Sequence, residues 1–158
     1  EVIYEAYGPA GVAIMIKCLT DNKNRTISNI RAILNKYGGN SAISGAVNYL
    51  FEPKGVVVID TNNQTLNKEN IEEIIIDSDA EDYLEDDNQI IIYTKPKKLE
   101  EVKKNIEFKS IKTNSAKLEL IPKTFANISD EKKDTIIKLL TDLEDDEDVD
   151  EVYTNANL

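Results

Sequence analysis

The sequence has no histidine, a single cysteine and no long apolar run. Without histidine, a Ser-His-Asp triad, a Cys-His pair and a histidine metal site are all excluded. The single cysteine, Cys18, cannot form an internal disulfide, and its apolar strand pattern predicts an inert core thiol in a reducing compartment. No apolar segment approaches the roughly 20 residues that span a bilayer, and no secretory signal pattern is visible. We therefore expect a cytoplasmic protein, or an organellar matrix protein in a eukaryotic source, with no membrane partner.

Positive charge is also scarce in this chain of 158 residues, whose net charge is −11. Five Lys/Arg oppose four Asp/Glu over residues 1–52 (+1), eleven oppose fifteen over 53–123 (−4), and three oppose eleven over 124–158 (−8). Phosphate binding depends on Lys and Arg side chains that neutralise the nucleic-acid backbone. A role on nucleic acid therefore needs a local basic patch, or a basic segment outside this sequence.

The first part of the chain predicts a hairpin, a helix and a further strand. The strands are predicted over residues 2–7, 12–18 and 46–51, the last ending near Pro53. Gly8-Pro9-Ala10-Gly11 predicts the hairpin turn. The helix is predicted over 24–37 with Ile27, Ile30, Leu34 and Tyr37 facing inward, capped by Asp21, Asn22 or Asn24 and stopped by Gly38-Gly39.

A new pattern of apolar residues begins at Gly55 and predicts the element order βαββαβ, which is the ferredoxin-like arrangement. Its elements are predicted at 55–59, 67–76, 82–85, 89–94, from Pro96 onward, and 115–121. The tail adds a helix capped by Ser129 and a strand near 149–153. We expect an α+β protein with two small sheet-plus-helices domains, in which the ferredoxin-like domain 53–123 is inserted into a discontinuous domain of 1–52 and 124–158.

No set of residues in the sequence predicts catalysis or metal binding. The acidic runs 144–151 and 77–81 lack the turn glycine of a calcium loop, which favours solvated loops. The glycines of the predicted turn match neither the P-loop nor the dinucleotide spacing. Nothing selects a pair of carboxylates for acid-base work, so we expect no enzyme, no metal and no cofactor.

One basic cluster lies on and around the first helix, at Lys23, Arg25, Arg31 and Lys36. It is either an ordinary solvated helix face or a set of phosphate contacts, since a helix N-terminus also favours anions. Aromatic residues for base stacking are not evident, because Tyr37, Tyr49 and Phe51 lie in core-like patterns.

Three motifs resemble the YebC/PmpR family, which comprises bacterial gene-expression regulators and mitochondrial relatives that activate translation. The family's Tyr-Glu-Gly-Tyr-Gly-Pro-Gly-Gly signature is matched at Tyr4, Glu5, Tyr7, Gly8, Pro9 and Gly11, with Ala6 and Ala10 in place of two glycines. Its Thr-Asp-Asn-Arg-Asn-Arg-Thr motif is matched over 20–26, with Lys23 in place of arginine. Its Gly-Gly-Asn is matched over 38–40, and residues 143–157 resemble its closing segment.

The resemblance implies three domains, of which a basic N-terminal helical domain is absent from this sequence. It implies no enzymatic activity and no cofactor. Some members are described as DNA-binding transcriptional regulators and others as translation factors that act on the ribosome. The implied partner is therefore nucleic acid, either DNA or ribosomal RNA, contacted mainly through the N-terminal domain, with the ribosome as a further partner. On the residues alone, a protein- or metabolite-binding α+β module remains the alternative.

Overall fold

The computed structural model describes residues 1–158 and contains eight strands and four helices in a mixed α+β arrangement, as predicted. The strands are β1 (Val2–Tyr7), β2 (Ala13–Cys18), β3 (Asn40–Ala42), β4 (Phe51–Asp60), β5 (Asp82–Asp86), β6 (Gln89–Thr94), β7 (Ser115–Pro122) and β8 (Val149–Thr154). The helices are α1 (Lys23–Lys36), α2 (Lys68–Ile76), α3 (Leu99–Phe108) and α4 (Asp130–Asp145). None of the helices combines the length and apolarity that a membrane crossing requires.

The chain forms two compact units, Glu1–Glu52 with Ile121–Leu158, and Pro53–Leu120. In the first unit the sheet order is β3-β1-β2-β8, so the central strand β2 lies between β1 and a strand from the distant C-terminal segment. Both neighbours of β2 are antiparallel to it. Helices α1 and α4 cover one face, and their apolar residues form one core with the alternate residues of β2. The fully buried members of this core include Ile14, Ile16, Ile30, Leu34, Ile136 and Leu143.

In the second unit the sheet order is β5-β6-β4-β7, with α2 and α3 as the connecting helices. Together with the chain order βαββαβ, this is the ferredoxin-like arrangement. The core consists of apolar residues from the two central strands and the two helices, such as Val57, Ile59, Ile90, Ile92, Ile71 and Val102. This unit ends at Leu120 rather than at residue 123, and the boundary falls inside β7.

Helix starts follow the side-chain caps that the sequence offers. Asn22, Asn67 and Ser129 each accept a hydrogen bond from the backbone N–H three residues later, at the starts of α1, α2 and α4. On α1 the buried positions are Thr26, Ile30 and Leu34, whereas the expected inward residue Ile27 is only half-buried.

The predicted strand over 46–51 is wrong. Residues Asn48–Leu50 form a short 3₁₀ turn, and the strand that pairs with β1 is β3, which comes earlier in the chain. The mostly apolar segment 46–51 resembles a strand, but the Glu5 carboxylate of β1 binds backbone N–H groups of this segment. Pro53 also does not end a strand, because β4 continues to Asp60. Pairing of β4 with β6 begins only at Gly55, so the missing N–H of Pro53 interrupts no bond to β6.

Candidate nucleic-acid interface

Helix α1 carries no acidic residue, although the chain contains 30 Asp and Glu. It also carries all four residues of the predicted basic cluster. The helix packs in the first unit through its buried and half-buried residues, and its other positions face solvent. The cluster therefore lies on one helix, but its four members differ in what they contact.

The Arg25 side chain binds a carboxylate of its own chain. Its Nη2 lies 2.7 Å from Asp148 Oδ1 and its Nε lies 3.1 Å from Asp148 Oδ2, which makes a bidentate pair. Its Nη2 also lies 3.3 Å from an oxygen of Asp21. A phosphate would have to displace this pair, so Arg25 is poorly placed to contact nucleic acid.

Asp148 is the centre of a small polar network at the start of α1, where its residue exposure is 5%. The Thr26 hydroxyl lies 2.8 Å from its Oδ2 and 2.7 Å from the Thr20 hydroxyl. Hydrogen bonds from Arg25 and Thr26 hold the pKa of Asp148 below its usual range, against the opposing effect of burial. The segment 20–26 thus fastens the start of α1 to the loop before β8.

Lys36 ties the other end of α1 to α4. Its Nζ lies 3.3 Å from Asp142 Oδ2, and the Tyr37 hydroxyl donates to the same oxygen at 2.5 Å. Both bonds lower the pKa of Asp142, and the bond from Tyr37 has the larger effect. Lys36 is an exposed side chain with a carboxylate partner, so it is less available to a phosphate than a free lysine.

Lys23 and Arg31 are the two members of the cluster that are exposed and make no ion pair. Arg31 belongs to a stripe with the spacing i, i+4, i+7, i+11, formed by Asn24, Ser28, Arg31 and Asn35, all of them exposed. The predicted cluster omitted the three uncharged members. Two signals in the sequence could have revealed them, the helical spacing of the polar residues and the lack of acids on α1.

The predicted motif turn of Tyr4, Tyr7, Gly8, Pro9 and Gly11 is partly buried in the first unit: Tyr7 is half-buried and Gly11 is exposed. Tyr4 packs against the core, Pro9 is buried, and the Gly8 N–H donates to the Val12 carbonyl oxygen at 2.8 Å. A Cβ on Gly39 would lie 2.6 Å from the Tyr7 carbonyl oxygen, so only glycine fits where the segment after α1 crosses this turn.

Glu5, from the same motif, is a buried carboxylate with an exposure of 7%. It accepts backbone hydrogen bonds from Gly45 at 2.6 Å, Val47 at 2.9 Å and Asn48 at 2.8 Å. Burial alone would raise the pKa of Glu5, but the three N–H donors outweigh it and the pKa is lowered. The loop 43–50 is therefore held on β1 by one side chain.

Of the three aromatic residues expected in core-like patterns, Tyr49 differs from the expectation. Tyr49 is 64% exposed, which contradicts its predicted place in the core, because the loop held by Glu5 turns it outward. Phe51 is buried and Tyr37 is half-buried. Phe108 and Phe125 are exposed as well, so aromatic surfaces for stacking do exist on this protein.

Cys18 is buried, as predicted. The pKa of its thiol is raised to about 11, mainly by burial. The negative charges of three nearby carboxylates add to this effect, those of Asp146, Asp148 and Asp150. The reactive form of cysteine is the thiolate, which is scarce at neutral pH for a thiol of this kind.

Residues 1–156 match the family described as "TACO1/YebC second and third domain". A "Probable transcriptional regulatory protein" from Geobacillus thermodenitrificans is 43% identical over 157 residues, which cover 99% of this chain and 64% of that protein. A protein of the same description from Persephonella marina is 46% identical over 160 residues, with 100% and 63% covered. The crystal structure of a conserved hypothetical protein from Aquifex aeolicus superposes with a TM-score of 0.92 at 40% identity, over 99% of this chain and 64% of its own. The chain thus spans just under two thirds of the length of these relatives.

Proposed function

Because this chain belongs to the TACO1/YebC family, whose relatives are named as transcriptional regulatory proteins, we propose that it is a non-enzymatic regulator of gene expression. In this proposal it contacts nucleic acid, alone or within a nucleoprotein, through the exposed stripe of α1 together with Lys23 at the first position of the helix. It does so in the cytoplasm, or in an organellar matrix in a eukaryotic cell.

The observation that carries this proposal is the composition of α1, a helix without acids in a chain of net charge −11. Arg31 and Lys23 offer unpaired positive charges, and Asn24, Ser28 and Asn35 offer hydrogen bonds to phosphate and sugar oxygens. Side chains of these types make most protein contacts to a nucleic-acid backbone, whereas sequence is read at the base edges. We therefore expect contacts that position the protein without reading sequence.

In this proposal Arg25 and Lys36 hold α1 in place and do not contact phosphates. Their ion pairs with Asp148 and Asp142 lie at the two ends of α1, so Lys23 and Arg31 are the two cations of the cluster that remain for phosphates. Two contacts give a slope of about −2 in a plot of log affinity against log salt concentration on duplex DNA. With so few contacts and an acidic chain, we expect a dissociation constant on the order of 10⁻⁵ M or weaker at physiological salt.

The test compares the chain with two doubly substituted variants in a salt titration by fluorescence anisotropy. The first, Lys23→Gln/Arg31→Gln, removes the two free charges of α1. The second, Lys132→Gln/Lys138→Gln, removes two exposed lysines of α4 and is matched in charge. We expect the first variant to lose most of the affinity and nearly all of the salt slope, and the second to retain both in large part. Equal losses in the two variants would show that net charge, and not α1, governs binding.

A third variant, Asn24→Ala/Asn35→Ala, separates hydrogen bonding from charge. We expect it to weaken binding while leaving the salt slope unchanged, because no cation is removed. In cells, crosslinking of the full-length protein followed by sequencing of the bound nucleic acid distinguishes promoter DNA from ribosomal RNA. Recovery of neither class above background would contradict the proposed function.

A further inference from the structure

A cavity of about 360 Å³ lies in the second unit where helices α2 and α3 end. Its lining residues are Glu73, Ile74, Asp77, Ser78, Asn105, Phe108 and Lys109. Phe108 is 86% exposed, the highest value among the large hydrophobic residues of this chain. An aromatic ring left in water beside a cavity is a surface that a ligand or partner can cover.

Acidic residues at this cavity lie at the C-terminal end of α2, where negative charge destabilises a helix. Glu73 lies in the last turn of α2 and Asp77 is its C-cap residue, with no basic residue in that turn. A helix C-terminus carries a partial negative charge, so acids placed there are unfavourable and cations are favourable. Helix α3 also ends at the cavity, at Phe108, which adds a second negative helix end. Lys109 is the single cation among the lining residues.

The walls of the cavity are held by internal hydrogen bonds. The Ser78 hydroxyl donates to the Ile75 carbonyl oxygen at 2.6 Å, and Asn105 Nδ2 donates to the Ser78 carbonyl oxygen at 3.1 Å. The first bond closes the end of α2 and the second joins it to α3, so the backbone segments that carry Glu73, Asp77 and Phe108 are connected.

We propose that this cavity binds an arginine side chain of a basic peptide segment. The guanidinium stacks on Phe108, its charge faces Glu73 and Asp77, and its aliphatic stem covers Ile74. The planar guanidinium suits a stacked site better than the compact ammonium of lysine. This binding goes beyond the proposed function and does not depend on α1, which belongs to the other unit.

Charge decides between a peptide and a nucleic acid as the occupant. A base could stack on Phe108, but its phosphates would meet two carboxylates and two negative helix ends. A bare metal ion is also a poor match, because no group of three acidic, histidine or cysteine ligands is formed here. A positively charged side chain with a flat polar head satisfies the ring and the carboxylates together.

The experiment uses the whole chain and a fluorescein-labelled Gly-Ser peptide with two arginines. Two further peptides carry citrulline or lysine at both arginine positions, and an oligouridine of ten nucleotides serves as the nucleic-acid probe. The cavity variants are Phe108→Ala and Glu73→Gln/Asp77→Asn. Their matched controls are Phe125→Ala, an exposed aromatic of the first unit, and Glu69→Gln/Glu100→Gln, exposed acids of α2 and α3 outside the cavity.

We expect the arginine peptide to bind more tightly than the lysine peptide and the citrulline peptide not to bind. Phe108→Ala should weaken binding of the arginine peptide about two- to fivefold, the range of an exposed cation–π contact. Glu73→Gln/Asp77→Asn should weaken it about fivefold, while both controls leave it unchanged. Equal binding of the citrulline peptide, or unaltered binding in both cavity variants, would overturn the proposal. Binding of oligouridine that is lost in Phe108→Ala would assign the site to nucleic acid instead.

Discussion

The loop 43–50 offers a sharp test of how one buried carboxylate organises this fold. In Glu5→Ala, the backbone N–H groups of Gly45, Val47 and Asn48 lose their acceptor. A buried donor left without a partner costs about 1–3 kcal/mol. Gly45 and Asn48 lie at exposed positions and can turn to water, whereas Val47 is fully buried. We therefore expect the free energy of unfolding to fall by about 2–4 kcal/mol, well short of three full penalties.

Glu5→Gln isolates the contribution of the charge. The amide oxygen can still accept from Val47 and Asn48, but the amide NH₂ then faces the Gly45 N–H and two charge-assisted bonds become neutral ones. We expect a loss of about 1–2 kcal/mol. Glu52→Gln, an exposed acid in the same unit, is the control and should change stability by less than about 0.5 kcal/mol.

The pH dependence follows from the lowered pKa of Glu5 in the folded state. A carboxyl whose folded pKa lies below its usual value of 4.5 stabilises the fold above pH 4.5, and this contribution disappears as the pH falls through the folded pKa. The stability difference between the native sequence and Glu5→Gln should therefore be full at pH 7 and shrink in acid.

The measurement is urea unfolding followed by circular dichroism from pH 7 down to pH 3, together with hydrogen exchange of the Val47 amide by NMR. We expect this amide to be protected in the native sequence and to exchange rapidly in Glu5→Ala. A Glu5→Gln variant as stable as Glu52→Gln, or a stability difference that does not vary with pH, would refute the reasoning.

Two further predictions concern the turn before β2 and the division into units. Ala10 has φ 61°, where alanine costs about 1–2 kcal/mol and glycine does not. Ala10→Gly should raise the free energy of unfolding by about 0.5 kcal/mol, because the relief of strain exceeds the extra entropy that glycine gives the unfolded chain. The control Ala32→Gly, in the middle of α1, should lower it by about 1 kcal/mol. Urea unfolding measures both, and a lower stability of Ala10→Gly would contradict the argument. We also propose that the first unit folds alone when Glu52 is joined to Ile121 by an Asn-Gly turn, because the Lys123 N–H bonds the Leu50 carbonyl oxygen at 2.9 Å and the two ends are therefore adjacent. An unfolded NMR spectrum of this shortened chain would rule the proposal out.

Local signals in the sequence were sufficient where structure depends on neighbouring residues. The caps Asn22, Asn67 and Ser129 each bind an N–H three residues away, so a short window of sequence contains the whole interaction. The order of elements in the second unit was predictable for the same reason, since each helix and strand carries its own apolar period.

The failures arise where a distant partner decides the outcome. The segment 46–51 has a strand-like pattern, but Glu5, about 40 residues earlier, binds its backbone. Arg25 resembles a free phosphate contact until Asp148 is placed beside it, 123 residues away in the chain. A single sequence gives no indication of such pairings. The three uncharged members of the α1 stripe could have been predicted from the sequence, because the helical spacing and the absence of acids are both local features.

The position of β8 beside β2 has a consequence for the order in which the two units fold while the chain is being synthesised. The second unit is continuous, so it can complete its core as soon as Leu120 has left the ribosome. The first unit begins earlier but must wait for α4 and β8, which supply part of its core and its fourth strand. It must also wait for Asp148, in the loop between them, which pairs with Arg25. Until then the apolar strand β2 has an open edge, the kind of surface on which nascent chains aggregate. The inserted second unit is therefore able to fold before the first unit, whose two segments flank it in the chain.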